Sequence, residues 1–167
     1  MDTGGGGDGA PSWDDELAEV GAELAEAVTA AVPPWVERSV LHLVRAWSGA
    51  VPSQVVDDAR AAGVAAGREV GEGLRALLAA GVDDQWTNPM TIVRRAVPHA
   101  ASVLERAGVG DVERSAEDEA HHPVDRYGLT PQTFADVDPS LHELGIRWGA
   151  TKARAHLARH RPARRAP

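Results

Sequence analysis

The chain contains no cysteine, one tyrosine, one phenylalanine and a single lysine, and each scarcity removes a class of chemistry. Without cysteine there is no disulfide, no thiolate metal site and no cysteine nucleophile, a composition suited to a reducing compartment, so a cytoplasmic location is expected. Tyr127 and Phe134 alone do not make a stacking platform for single-stranded nucleic acid. No stretch of about 18 uncharged apolar residues is present. Met1-Asp2-Thr3-Gly4 lacks the basic start and apolar run of a secretory signal, so neither export nor a membrane contact is expected. Gly4 to Gly7 precede no strand, no serine sits between glycines at the spacing of a nucleophile elbow, and no dinucleotide fingerprint occurs. No cofactor is implied.

What is present is a segregation of charge. Residues 1–32 carry eight acids and no base, whereas residues 147–167 carry seven bases and no acid. Ends of opposite sign either dock on each other or recruit an outside partner. The net charge of −8 disfavours the whole surface as a nucleic-acid platform, which leaves only a weak contact through the basic end, Arg159 to Arg165. Sixteen arginines against one lysine, with abundant alanine, glycine and valine, fit a GC-rich coding bias.

The periodicity is helical throughout, and the fold class expected is all-α: a single helical bundle of five to six helices with a disordered N-terminal tail. Residues 1–11, rich in glycine, have too little apolar surface to offset ordering. Residues 12–160 form the domain, and 161–167 a short basic tail. Ser12 with Asp15 reads as a cap for a helix ending near Val32, with Pro33-Pro34 breaking it and starting a second that stops near Gly49. Ser53 starts a third, long helix ending at Gly81. Gly63, Gly67, Gly71 and Gly73 fall inside it, at about 1 kcal/mol each against alanine, or roughly 4 kcal/mol together. Ala59-Gly63-Gly67-Gly71 at four-residue steps reads either as a groove for a closely approaching helix, within the chain or from a second copy, or as composition alone. Asn88-Pro89 starts a helix kinked at Pro98, residues 108–128 form a loop, Thr130-Pro131 starts a short helix and Asp138-Pro139 the last one.

The last helix has two apolar faces: Ile146, Ala150, Ala153 and Leu157 on one side, and Leu141, Leu144, Trp148 and Ala155 on the other. Either it is sandwiched in the bundle or one face is left for a partner. Arg147, Arg154 and Arg161 repeat every seven residues along the edge between, opposite in sign to Glu16, Glu19, Glu23 and Glu26 of the first helix. Lys152 lies one turn after Trp148 among small neighbours, either as a desolvated nucleophile or anion anchor or as a solvated cation near a helix end. His99, beside the Pro98 kink, is the second catalytic candidate, against a structural role. His121, His122 and Asp125, with Glu117, Asp118 and Glu119, group imidazoles and carboxylates but match no strong metal template, so they are weak metal candidates against a solvated acidic loop.

Trp86-Thr87-Asn88-Pro89, Val93 to Pro98, Ala107-Gly108-Val109, Tyr127 to Pro131 and Gly145 to Ala153 together resemble a family of small, uncharacterised proteins from high-GC actinobacteria. The resemblance spans about the C-terminal two thirds and implies that these segments form one unit; it carries no activity, cofactor or catalytic residue. The leading expectation is a non-enzymatic interaction or regulatory module acting through Trp148, Lys152 and the Arg147, Arg154 and Arg161 edge of the last helix, with a protein partner or a second copy. The alternative is a small helical enzyme or ligand-binding protein with a pocket around Lys152.

Overall fold

The computed structural model describes residues 12–79 and 88–161. The tail expected at 1–11, the stop at Gly81 and the basic Arg164 and Arg165 lie outside them. Among the described residues the chain is all-α, without strands. No helix there is long and apolar enough to cross a membrane.

Ser12 starts the first helix by accepting the Asp15 N–H at 3.2 Å, with Asp14, Asp15 and Glu16 favourably placed at the positive end of its dipole. This helix, α1, then runs from Trp13 to Ser48, straight through Pro33 and Pro34. The two helices expected on either side of the proline pair are one. Each proline removes a backbone donor, which costs a helix roughly 3 kcal/mol or more in isolation. Burial on both sides of the pair opposes that loss: Val28, Val32 and Val36 have no solvent exposure, and Trp35 is buried. Gly49, at φ 77°, closes α1 by donating its N–H to the Arg45 carbonyl at 2.8 Å.

After a short connection, α2 (Ser53–Ala79) packs back along α1 in the most extensive helix pairing of the fold. The glycine row is the reason it can come so close. A Cβ on Gly63 would lie 2.7 Å from the Pro33 carbonyl oxygen, one on Gly67 2.7 Å from Pro33 Cγ, and one on Gly71 2.6 Å from Thr29 Oγ1. The groove therefore exists, and α1 itself fills it at its proline step. Thr29 donates its hydroxyl to the Ala25 carbonyl at 2.6 Å, a back-bond that often accompanies helix bending. Homodimerisation through this groove would require α1 to leave.

Asn88 accepts the Met90 N–H at 3.0 Å and starts a rod made of α3 (Met90–Val93), a 3-10 turn (Arg94–Ala96) and α4 (Val97–Arg106). The irregularity expected at Pro98 falls one turn earlier. Pro98 has no N–H to give the Arg94 carbonyl, and the Val97 N–H takes that acceptor in the tighter 3-10 pattern. The rod packs on α1 and α2.

The segment expected as a plain loop holds a short helix, α5 (Ala116–His121), capped by Ser115, which accepts the Asp118 N–H at 3.1 Å. Around it the backbone is tied by Val112 N–H to the Arg126 carbonyl at 3.0 Å and by Arg114 to the His122 carbonyl at 2.7 Å. Buried Tyr127 anchors the segment to the core by donating its hydroxyl to the Val109 carbonyl at 3.0 Å. Thr130 serves this loop rather than capping a helix, so α6 (Phe134–Val137) starts later, in a capping box made by Thr133 and Asp136. Asp138 accepts the Ser140 N–H at 2.9 Å, and a 3-10 turn (Pro139–Leu141) leads into α7 (His142–Arg159). Arg38 of α1 reaches the Val137 carbonyl at 3.3 Å and fastens this end to the bundle. Joining the kinked segments leaves six helices among the described residues.

Candidate functional site

α7 packs along α1, and the two charged ends of the chain meet there. Arg147 pairs with Glu23 and Arg159 with Asp14, while Arg154 lies over the Trp13 ring at 5.5 Å. The pairing sets the direction: residue 147 meets 23 and residue 159 meets 14, so the helices are antiparallel. Of the basic edge expected to meet the acids of helix one, Arg147 does so; Arg154 takes an aromatic face instead; and Arg161 lines a depression of about 470 Å³ with Trp13, Arg154, His156, Leu157 and His160.

The two apolar faces of α7 have opposite fates. Trp148, expected on the binding surface, is buried, as are Leu141 and Ala155. Its indole nitrogen would lie 3.8 Å from a Cβ on Gly21, which would also touch Leu78, so a residue without a side chain stands where α1, α2 and α7 converge. The other face is open. Ile146 is 59% exposed and Leu157 69%, with Ala150 and Ala153 exposed between them. Lys152 sits with Nζ 5.1 Å from the centre of the Trp148 ring, the cation–π geometry its spacing suggested.

His99 contacts Glu69 of α2 at 2.7 Å, bridging α4 to α2, and borders a shallow cavity with Asp58, Ala62, Ala65 and Arg106. Lys152 and His99 thus make their contacts on different helices. None of the cavities described here is lined by both.

Among the described residues, no group of three or more histidines, aspartates and glutamates converges as a metal site would require. Asp125 is buried and accepts from Thr130 N–H at 2.8 Å, Thr130 Oγ1–H at 2.7 Å and Tyr127 N–H at 3.3 Å. Burial alone would raise its carboxyl, but the donors of Leu129, Thr130 and Tyr127 hold it below the ordinary 3.8. Its lone pairs organise the loop. His121 Nδ1 is 2.8 Å from the Glu117 carbonyl, and His122 Nε2 is 3.0 Å from the Gln132 amide nitrogen.

These histidines line a cleft of about 540 Å³ between α4 and the loop after α5. Val97, Pro98 and Ala101 form one wall, with Arg94 and Arg126 among its charged groups. Arg94 was not singled out by its place in the sequence. Its carbonyl is the one Pro98 leaves for the 3-10 turn, but its Nε donates to the Pro131 carbonyl at 3.0 Å across a gap of 37 residues, which spacing does not display.

No family model, curated protein or solved structure matches the chain.

Proposed function

We propose that the protein is a non-enzymatic, cytoplasmic interaction module whose α7 outer face receives an acidic amphipathic helix of a partner protein. The observation that supports this reading is the exposed stripe Ile146-Ala150-Ala153-Leu157, whose steps of four, three and four residues are those of a helix-pairing seam. In such a seam Arg147, Arg154 and Arg161 occupy one flank, and Gly149 and His156 the other. A second copy docked antiparallel would set Arg154 against Arg154; docked parallel, it would face arginines with Gly149 and His156, gaining no ion pair. Since Arg147 is already paired with Glu23, a helix flanked by glutamates complements Arg154, Arg161 and the basic rim around Trp13 and Leu157. The cytoplasmic placement and membership of the actinobacterial family belong to the same proposal, on the residues given above.

The test uses two designed peptides with leucine at both seam positions, one flanked by glutamates and one by lysines, titrated calorimetrically into the full chain. The glutamate peptide is expected to bind in the micromolar range and to weaken with salt. The lysine peptide should not bind, and Leu157→Asp should abolish binding of the glutamate peptide. Equal binding of both peptides, or of neither, overturns the proposal. A dimer in light scattering that Leu157→Asp dissolves replaces it with self-association.

A further inference from the structure

A different part of the molecule carries a binding site for a small ligand. We infer that the cleft between α4 and the α5 loop takes a small organic carboxylate with an apolar body, its head group held by Arg94 and His122. The inference uses none of the residues of the α7 face.

The volume, about 540 Å³, is within the range of small-molecule sites. Val97, Pro98 and Ala101 offer an apolar wall. The polar end is built by two neighbouring residues, Pro131 and Gln132. Pro131 holds Arg94 by accepting from Nε, and Gln132 holds His122 through its amide. The Gln132 amide nitrogen stands 3.0 Å from His122 Nε2 and fixes the orientation of the ring. Arg94 and His122 line both this cleft and an adjoining depression of about 550 Å³, so they stand at the boundary between the two.

The charge balance of these two residues selects the ligand. Among the described residues, no carboxylate pairs with the half-buried Arg94 guanidinium, and Glu117 and Asp118 line the adjoining depression without an ion pair to it. Arg126, by contrast, is already engaged by Asp111 at 2.6 Å and Glu105 at 3.2 Å. Asp125, the nearby buried acid, is saturated by the loop's own donors. A planar guanidinium with its terminal nitrogens not matched to an acid is a carboxylate receptor, and His122 lines the same cleft. A neutral ligand would forgo the direct ion pair with Arg94, and a bare inorganic anion would leave the apolar wall wet.

The experiment is an NMR titration of the isotope-labelled full chain with 3-phenylpropionate, with 3-phenylpropan-1-ol as its neutral counterpart and with inorganic phosphate. Saturable shifts in the millimolar range or tighter are expected for the carboxylate at Arg94, Ala101, His122 and Tyr127, with the alcohol and phosphate each at least about tenfold weaker. Arg94→Gln should lose about tenfold in affinity and Arg94→Lys less, since lysine keeps the charge but not the fork. Ala101→Leu, which keeps Arg94 and fills the apolar wall, should also abolish binding; it decides the matter if Arg94→Gln does not fold. Absence of saturable shifts, equal binding of the alcohol, phosphate binding as tight as the carboxylate, or unchanged affinity in Ala101→Leu overturns the inference.

Discussion

Replacing glycine by alanine inside a helix normally stabilises it by about 1 kcal/mol, and in this protein the sign of that effect should depend on which glycine is changed. Gly149 lies on the exposed side of α7, and nothing stands within 4 Å of where its Cβ would be. Gly149→Ala should therefore raise stability by about 1 kcal/mol. Gly63 lies in α2 against α1, and its Cβ would meet the Pro33 oxygen at 2.7 Å, Cα at 3.2 Å and carbonyl carbon at 3.3 Å. All three are backbone atoms, so no side-chain rotation relieves the clash. Overpacking of this kind costs about 1–3 kcal/mol, which cancels or outweighs the helical gain and leaves the variant destabilised by up to roughly 2 kcal/mol. Two identical chemical changes should thus differ by about 1–3 kcal/mol, the overpacking cost itself. Urea unfolding followed by circular dichroism measures both, with the slope unchanged if the native state stays compact. Gly71→Ala adds an internal check, because its obstacle is the Thr29 side chain, with Oγ1 at 2.6 Å and Cγ2 at 3.0 Å. In a Thr29→Ala background, which leaves only Cβ at 3.3 Å, the same change should be clearly less destabilising. If Gly63→Ala stabilises as much as Gly149→Ala, the close approach of α2 to the proline step of α1 is refuted.

Truncating Trp148 to alanine should cost about 3–5 kcal/mol, as expected for a large buried aromatic, whereas Lys152→Ala should cost no more than about 1 kcal/mol, the value of an accessible cation–π contact; comparable losses in thermal or chemical unfolding would contradict that division. Glu23→Gln or Arg147→Gln should cost at most about 1 kcal/mol and the loss should vanish at high salt, because both side chains are 54% exposed. A loss well above that, persisting in salt, would show the charged ends to be a buried determinant of the fold. The Asp125 carboxyl titrates lower in the folded chain than its ordinary 3.8, so its contribution is complete above that value and disappears as pH falls through the lowered folded value. Asp125→Asn should accordingly destabilise the protein at neutral pH and flatten its acid unfolding between neutral and strongly acidic pH; an unchanged acid profile would rule out the carboxylate as the loop's organiser.

Local chemistry by itself determined much of this molecule. The Ser12 cap, the Asn88-Pro89 and Asp138-Pro139 starts and the Lys152 and Trp148 pair are effects of residues within about one helical turn of each other, and the two faces of the last helix follow from its period, so spacing alone displays them. The glycine row of α2 was also legible, since a costly run of small residues in a long helix demands compensation. What filled it was decided by tertiary structure: Pro33, which read as a helix breaker, became the surface that glycines receive, because burial of α1 on both sides outweighs the lost donors. The same holds for α7, whose two faces are nearly equivalent in sequence. Packing on α1 buried Trp148 and left Ile146 and Leu157 in solvent. The α4 cleft was invisible for a related reason: Arg94, His122 and Pro131 are far apart in the chain, and only loop closure around Asp125 brings their donors and acceptors to one place.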